Sequence, residues 1–282
     1  MKIGAVMFFT AQSMRPAPLA QALEERGFES LWVPEHTHIP SSRKTPYPAG
    51  GPLIRPYYDI MDPFLVLNSA AAATKNLKVG TGIALLTQRD PIVTAKVVST
   101  IDQLSNGRFL FGVGNGWNQD EIENHGTAIK SRHKLARERI EAMKAIWTQD
   151  EPEYHGRFVD FDPIWQWPKP LQKPHPPILF GGQGDRVLER VLDLGDGWLV
   201  SGRHFDPDRV VEWSGRLQAM AAERGRGPVP VSYQDGPADR RSIETCAEAG
   251  VERYNLRVPA ADEATVTEAL GKLAELVSPF GP

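Results

Sequence analysis

The stretch from residue 77 to residue 118 constrains the fold more than any other part of this chain. It contains two short apolar segments rich in Val, Ile, Leu and Phe, separated by a segment with helical periodicity. Asp90 and Pro91 have the residue types of an N-cap and a first helical position, and Asn106-Gly107 marks the helix end. A helix that joins two adjacent strands forces them to be parallel. The stretch therefore predicts a βαβ unit and a parallel sheet.

Within this unit, Val93, Val97, Ile101 and Leu104 are expected to form the buried face of the helix. Both predicted strands end in glycines, which are Gly80 and Gly82 in the first strand and Gly112, Gly114 and Gly116 in the second. Such glycines have two interpretations, a sharp turn or the close approach of a flat ligand. Their spacing is not the G-x-G-x-x-G dinucleotide fingerprint, so a Rossmann site is not predicted.

The alternation of strand and helix patterns along the chain indicates the fold class. Eight βα repeats are predicted, with strands at residues 1–9, 30–33, 77–83, 107–114, 177–180, 197–200, 229–233 and 253–258. An open doubly wound sheet stops at about six strands, whereas eight repeats close a barrel. We predict one (β/α)8 TIM barrel domain over residues 1–282.

Two long segments interrupt the regular pattern. Residues 34–60 contain six prolines and no periodicity, which in a compact domain is typical of a functional loop or lid. Residues 149–176 are predicted to form an irregular arm, with a short hairpin between Tyr154 and Phe161.

Composition narrows the classes of partner. A net charge of −3 and an isoelectric point near 6.2 give no electrostatic reason to expect nucleic acid or a membrane surface as a partner, so a small molecule is expected. The single cysteine, Cys246, is typical of a protein from the reducing cytoplasm. We read the apolar N-terminus as a strand rather than a signal peptide, and no run reaches the ~18 apolar residues of a membrane span.

In a barrel of this class the functional residues lie on the loops that follow the strands. Polar residues collect there after strands two, four, five and six: Glu35, His36, His38, Asn115, Trp117, Asn118, Gly181 to Gly184, and Ser201 to His204. His36 and His38 could bind a metal only with a third ligand, and the later strand ends supply only His204. No metal site is predicted. The open alternatives for His36 are packing and a hydrogen bond to a cofactor or substrate.

The loop from Gly181 to Gly184 precedes a helix and is a candidate phosphate cradle. Arg203 could bind the same phosphate or could be a solvated surface residue. Trp117 could belong to the core or stack on a planar ring. No pattern for a covalent nucleophile is present.

The chain resembles the luciferase-like monooxygenase superfamily, in particular its actinobacterial branch of coenzyme F-420-dependent oxidoreductases. The resemblance is carried by stretches in the expected order: Ser30 to His36, Val79 to Ile83, Asp102 to Phe109, Gly112 to Asn118, Pro177 to Gly182, and Gly195 to Trp198. It implies a barrel that binds a flavin or deazaflavin at the strand ends. It also implies a non-prolyl cis peptide at or beside Gly82-Ile83, behind the ring, and a homodimer.

The resemblance also implies roles for individual residues. His36 corresponds to the family histidine near the reactive edge of the ring, and Glu35 is a second candidate proton donor. The implied cofactor contacts are Gly82, Ile83, Ala84, Asn115, Gly116, Trp117, Gly181, Gly182, Ser201, Gly202 and Arg203. Trp117 stands where sugar-phosphate dehydrogenases of the family have a glutamate, which argues against that substrate.

Three functions follow as alternatives. The first is an oxidoreductase that transfers a hydride between coenzyme F-420 and a small organic substrate. The second is an FMN-dependent, two-component monooxygenase, and the third is a flavin-binding barrel without turnover. A closable cavity under the loop at residues 34–60 would favour an enzyme over the third.

Overall fold

The computed structural model describes residues 1–280, so the last two residues of the predicted barrel lie outside the described part. Eight parallel strands form a closed barrel: β1 Lys2–Val6, β2 Ser30–Val33, β3 Lys78–Thr81, β4 Phe109–Gly114, β5 Ile178–Gly181, β6 Gly197–Ser201, β7 Val231–Gly236 and β8 Arg253–Arg257. Each strand pairs with its neighbour in the chain, and β8 pairs with β1 to close the ring. The predicted (β/α)8 barrel is confirmed.

Ten α-helices surround or cap the barrel. They are α1 Pro16–Glu25, α2 Pro56–Asp59, α3 Pro63–Ala72, α4 Pro91–Leu104, α5 Gln119–Asn124, α6 Arg132–Thr148, α7 Asp185–Leu194, α8 Pro207–Glu223, α9 Arg240–Glu248 and α10 Glu263–Val277, among residues 1–280. The predicted cap at Asp90 is confirmed, since its side chain accepts from the Val93 N–H in the first turn of α4, and Asp62 caps α3 in the same way. None of the helices in the described part is long and apolar enough to cross a bilayer.

The predicted buried face of α4 is confirmed at Ile101 and wrong at Val93 and Leu104. Val93 is 61% exposed and Leu104 is 64% exposed, whereas Ala95, Val98 and Ile101 are buried. Apolar residues occur on two faces of this helix. The face that carries Ala95 is buried because it packs against α6, where the Trp147 indole donates to the Ala95 carbonyl at 3.1 Å. Strand β7 also begins two residues later than predicted.

The glycines of β4 are explained by packing inside the barrel. A Cβ on Gly112 would lie 2.0 Å from the Thr81 carbonyl oxygen, and one on Gly114 would lie 2.0 Å from Ile83 Cδ1. The Gly82-Ile83 peptide is cis, as predicted, and the chain then continues as a two-residue extension, Ala84–Leu85, that also pairs with β4. These glycines therefore let the end of β3 lie close against β4.

The two irregular segments lie outside the barrel strands. The predicted hairpin in the arm is confirmed, because Tyr154–His155 pairs antiparallel with Asp160–Phe161. The loop after β2 contains the short helix α2 and is fixed to α5, where the Thr45 N–H donates to Asp120 Oδ2 at 3.2 Å. This loop reaches over the C-terminal ends of the strands, where Tyr47 and Tyr57 face the barrel mouth.

Candidate active site at the barrel mouth

A cavity of about 530 Å³ lies at the C-terminal ends of the strands, beneath the loop that follows β2. Most of the site residues predicted from the sequence line it: Glu35, His36, Gly82, Ile83, Asn115, Gly116, Trp117, Gly181, Gly182, Ser201 and Arg203. Ala84 and Gly202 do not. Ala84 is fully buried, and the Gly202 N–H donates to the Gln234 carbonyl at 2.7 Å, so both act as part of the barrel wall.

His36 forms a buried pair with Glu121. Its Nδ1 lies 2.8 Å from Glu121 Oε2, and the two side chains are 6% and 1% exposed. Glu121 is on α5, so the carboxylate reaches the histidine from the loop after β4. Because Nδ1 donates to this carboxylate, the tautomer and ring orientation are fixed, and Nε2 is left to exchange a proton with a bound molecule.

Aromatic rings surround His36. The His36 ring lies 5.2 Å from Tyr57 and 5.8 Å from Trp117, centroid to centroid, and Tyr47 lies 5.2 Å from Tyr57. Trp117 therefore belongs to the cavity wall rather than to the core. An apolar, flat wall of this kind suits a planar ligand.

Glu35 lies beside His36 in sequence but has a different environment. One of its oxygens accepts from Arg89, with Nε at 2.7 Å, and the other accepts from the Leu85 N–H at 2.6 Å. Burial raises the pKa of Glu35, and the hydrogen bonds from Arg89 and the Leu85 amide oppose that shift. A proton-transfer role for Glu35 stays a prediction, and this placement favours a role in fixing the end of β2 to the loop after β3.

His38 is separated from His36. It lies at the surface, where its Nδ1 is 3.0 Å from Thr37 Oγ1 and its Nε2 is 3.0 Å from Asn124 Nδ2. Within residues 1–280 no group of three or more His, Cys, Asp or Glu side chains is arranged to hold a metal ion.

Gln234 on β7 is a buried side chain without partners. It is 5% exposed, it lines the cavity, and neither Oε1 nor Nε2 has a hydrogen-bond partner in the described part of the chain. Its Nε2 would lie 2.9 Å from a Cβ on Gly82, which places the amide at the cavity floor. A buried amide left unpaired costs about 1–3 kcal/mol, so this geometry points to a ligand that completes its hydrogen bonds.

Three arginines gather at the opposite rim, beside the loop after β5. Arg132 begins α6, and Arg186 and Arg190 follow on the first turns of α7. None of the three has a carboxylate within ion-pair distance among residues 1–280. We call these three residues the arginine cluster.

His133 lies inside the arginine cluster. Burial, and then repulsion from the three arginines, lowers the pKa of His133 to about 4, so it is neutral at pH 7. Its Nδ1 is 3.0 Å from Arg190 Nη1 and 2.6 Å from Asn115 Nδ2. The histidine therefore orients Arg190 without neutralising it, and the rim keeps an excess of positive charge next to Gly182 and the N-terminus of α7.

The model of one protein family, luciferase-like monooxygenase, matches residues 12–250 of this chain. The chain belongs to this family. An uncharacterized protein of Mycobacterium tuberculosis is 41% identical over 234 residues, which cover 82% of each chain. An FMNH(2)-dependent dimethylsulfone monooxygenase of Pseudomonas putida is 35% identical over 144 residues, 50% of this chain and 39% of that enzyme.

The fold of this luciferase-like protein also matches solved structures. The coenzyme F420-dependent tetrahydromethanopterin reductase of Methanopyrus kandleri superposes with a TM-score of 0.75, with 17% identity and full coverage of both chains. At that identity the match shows the shared fold. Relatives and neighbours of this luciferase-like chain thus include enzymes of both cofactor types, and they are oxidoreductases or monooxygenases.

The sequence prediction did not include several residues of this luciferase-like site, among them Tyr47, Tyr57, Glu121, Arg132, His133, Arg190 and Gln234. One of these residues, Arg190, could have been predicted from the sequence. Arg186 and Arg190 are four residues apart directly after the glycine loop, which places both on one face at the start of a helix. The role of Gln234 could not have been predicted from the sequence, because its lack of a hydrogen-bond partner depends on which residues surround it in space.

Proposed function

We propose that this protein is an oxidoreductase that binds coenzyme F-420 at the barrel mouth and transfers a hydride between it and a small organic substrate. The arginine cluster carries this proposal. Among residues 1–280, three arginines without a carboxylate partner stand at the cavity rim, and two of them, Arg132 and Arg190, line the cavity itself. The cluster suits a ligand with more than one negative charge at this end.

The cavity floor suits the ring system that F-420 and FMN share. The pyrimidine edge of that ring presents a carbonyl, an N–H and a second carbonyl. An amide offers one donor and one acceptor, so Gln234 could pair with a carbonyl and the N–H together. Ile83 would lie behind the ring, and Gln234 would fix its orientation in the plane.

The charge of the cluster favours F-420 over FMN. The tail of FMN ends in one phosphate, whereas the tail of F-420 continues from its phosphate into glutamate carboxylates. Arg190 and Arg132 at the rim and the exposed Arg186 beyond them form a series of charges that leads outward. A phosphate bound to Arg132 and Arg190, followed by carboxylates near Arg186, would place all three arginines in contact with the cofactor tail.

When bound, the deazaflavin supplies the hydride chemistry, and the protein supplies position and proton transfer. His36 Nε2 would take a proton from, or return one to, the oxygen of the substrate. Glu121 would hold the imidazole in place and stabilise its protonated form. Tyr47, Tyr57 and Trp117 would exclude water from the reacting atoms.

Titration of the purified protein with each cofactor tests the proposal. We expect F-420 to bind at least about tenfold more tightly than FMN, measured by quenching of cofactor fluorescence, because the extra tail charges add charge-assisted hydrogen bonds. The same titration at high salt should reduce the difference. Tighter binding of FMN would contradict the proposal.

An FMN-dependent monooxygenase is the second candidate. It is supported by the Pseudomonas putida relative, whose name states FMNH(2) dependence. The third alternative, a barrel without turnover, is not supported by the cavity beneath the loop at residues 34–60, which has room for a ring and a small partner.

The substitution Gln234→Leu is expected to change protein stability and cofactor affinity in opposite directions. Leucine has one side-chain non-hydrogen atom fewer than glutamine and no polar atoms, so the free protein should become more stable by about 1–3 kcal/mol because a buried unpaired amide is removed. Cofactor affinity should fall about tenfold. Thermal unfolding and fluorescence titration measure the two effects. Loss of stability, or unchanged affinity, would contradict the assigned role of Gln234.

A further inference from the structure

Arg203 lies on the loop after β6 and faces a different part of the cavity from the arginine cluster. Its Nε donates to Asp235 Oδ2 at 3.1 Å, and its Nη1 donates to Tyr47 Oη at 3.2 Å. The guanidinium carbon lies 5.5 Å from the centroid of the Phe8 ring and 5.3 Å from that of Tyr57. These contacts come from the loops after β1 and β2 and from the end of β7 itself, whereas the arginine cluster follows β4 and β5.

The sequence suggested that Arg203 binds the same phosphate as the glycine loop. That role stays untested, but the position of Arg203 favours another one. The residues beside the glycine loop are Arg132, Arg190 and His133, and Arg203 has no hydrogen bond to any of them in residues 1–280. The cavity therefore has two positive regions, one at the rim and one under the loop that follows β2.

The charge of Arg203 is only partly balanced. Asp235 Oδ2 accepts from both Arg203 and Arg257, so one carboxylate faces two guanidinium groups. Arg203 Nη2 has no hydrogen-bond acceptor in the described part of the chain, and one N–H of Nη1 also remains after the bond to Tyr47. Both terminal nitrogens of Arg203 therefore keep N–H groups that an oxygen of a bound anion can accept from, and a guanidinium is a preferred partner of carboxylates.

The Arg203 guanidinium lies among flat aromatic side chains. Phe8, Tyr57 and Trp117 line the same cavity, and Tyr57 lies within 6.3 Å of Trp117 and 5.2 Å of His36, centroid to centroid. Tyr57 thus lies close to both Arg203 and His36. A molecule that placed an anionic group on Arg203 and its body against these rings would bring its other end toward His36.

We infer that the substrate is a small organic acid with a flat apolar body, whose carboxylate binds to Arg203. This inference rests on the proposed function, because it names the molecule that would react with the cofactor. Tyr47 is then a positioning residue that orients the guanidinium. The bound acid would also contact the loop at residues 34–60, which Tyr47 and Tyr57 belong to.

The test compares benzoate with benzamide, which have the same shape and differ in charge, on protein loaded with F-420. Isothermal titration calorimetry should show benzoate binding at least about tenfold more tightly. Arg203→Gln should remove that preference and leave benzamide affinity within about twofold. Tyr47→Phe should weaken benzoate by about threefold and leave benzamide unchanged.

Arg257→Gln is the matched control. Like Arg203→Gln, it removes one guanidinium that pairs with Asp235, but Arg257 does not line the cavity. It should change benzoate affinity by less than about threefold. An equal loss in Arg257→Gln and Arg203→Gln would show a general charge effect and overturn the inference. Equal affinity of the unmodified protein for benzoate and benzamide would overturn it without any variant, even if Arg203→Gln fails to fold.

The cofactor titration keeps the two proposals apart. If F-420 binds and benzoate shows no preference, only the inference about the substrate fails. If F-420 does not bind, the proposed function fails, and the benzoate comparison is repeated on the free protein. Arg203 and its partners belong to the chain itself, so the preference should persist there, and its absence would overturn the inference too.

Discussion

Replacing Arg132 and Arg190 together by glutamine is expected to weaken binding of coenzyme F-420 by at least about 100-fold. Each hydrogen bond to a charged group contributes about 1.5–3 kcal/mol, and 1.4 kcal/mol corresponds to tenfold in affinity. Both side chains line the cavity and lack carboxylate partners in residues 1–280, so a bound anion would be their main partner. Fluorescence titration measures the loss, and each single variant should lose about tenfold.

A control with the same charge change is available on the same side of the barrel. Arg137 and Arg224 both pair with Asp193 at the surface and lie outside the cavity. Replacing both by glutamine should change F-420 affinity by less than about twofold at physiological salt, because exposed charges are screened. If the Arg132 and Arg190 double variant binds F-420 as tightly as this control, the arginine cluster is not the site of the cofactor tail.

His36→Ala is expected to lower turnover by about 10²- to 10⁴-fold while cofactor affinity stays within about threefold. The range is that of a removed general acid or base. Turnover would be followed by the absorbance of F-420 with an organic acid that the benzoate comparison supports as a ligand. Glu121→Gln should cost about tenfold, because a neutral amide can still hold the ring but stabilises its protonated form less.

His38→Ala is the matched control for this experiment. It removes a histidine two residues away that lies at the surface and contacts Thr37 and Asn124. Its turnover should stay within about twofold of the unmodified protein. Full turnover of His36→Ala with intact cofactor binding would exclude the proton-transfer role of His36, and Glu35 would then have to be tested in the same way.

The parts of the site that the sequence predicted are those built from consecutive residues. Gly181, Gly182 and His36 each directly follow a strand, and in a parallel barrel all strand ends meet at one mouth. Strand periodicity and glycine position are therefore enough to place them. The buried face of α4 was predicted wrongly at Val93 and Leu104, because apolar residues occur on two faces of the helix and the choice depended on α6, whose Trp147 contacts Ala95 from 52 residues later in the chain.

The roles of polar side chains were harder to predict because a role depends on partners. Glu35 and Glu121 are both buried carboxylates near His36, yet Glu35 is engaged by Arg89 and Glu121 faces the histidine. Arg203 and Arg190 are both arginines after adjacent strands, yet they face different parts of the cavity. No local pattern separates the members of either pair.

The barrel and the family follow from the amino-acid sequence. Alternating strand and helix patterns, caps such as Asp90, and the glycine loops are local features whose energies depend on nearby residues. Which charges are balanced and which remain free depends on the folded arrangement of the chain. Within the described part of the chain, Gln234 has no hydrogen-bond partner and Arg132 and Arg190 have no carboxylate partner, because their surroundings are formed by residues that are distant in the chain but adjacent in space. Hydrogen bonds and ion pairs act over a few ångströms, so chemistry at the mouth depends on which side chains the closed barrel brings within that distance.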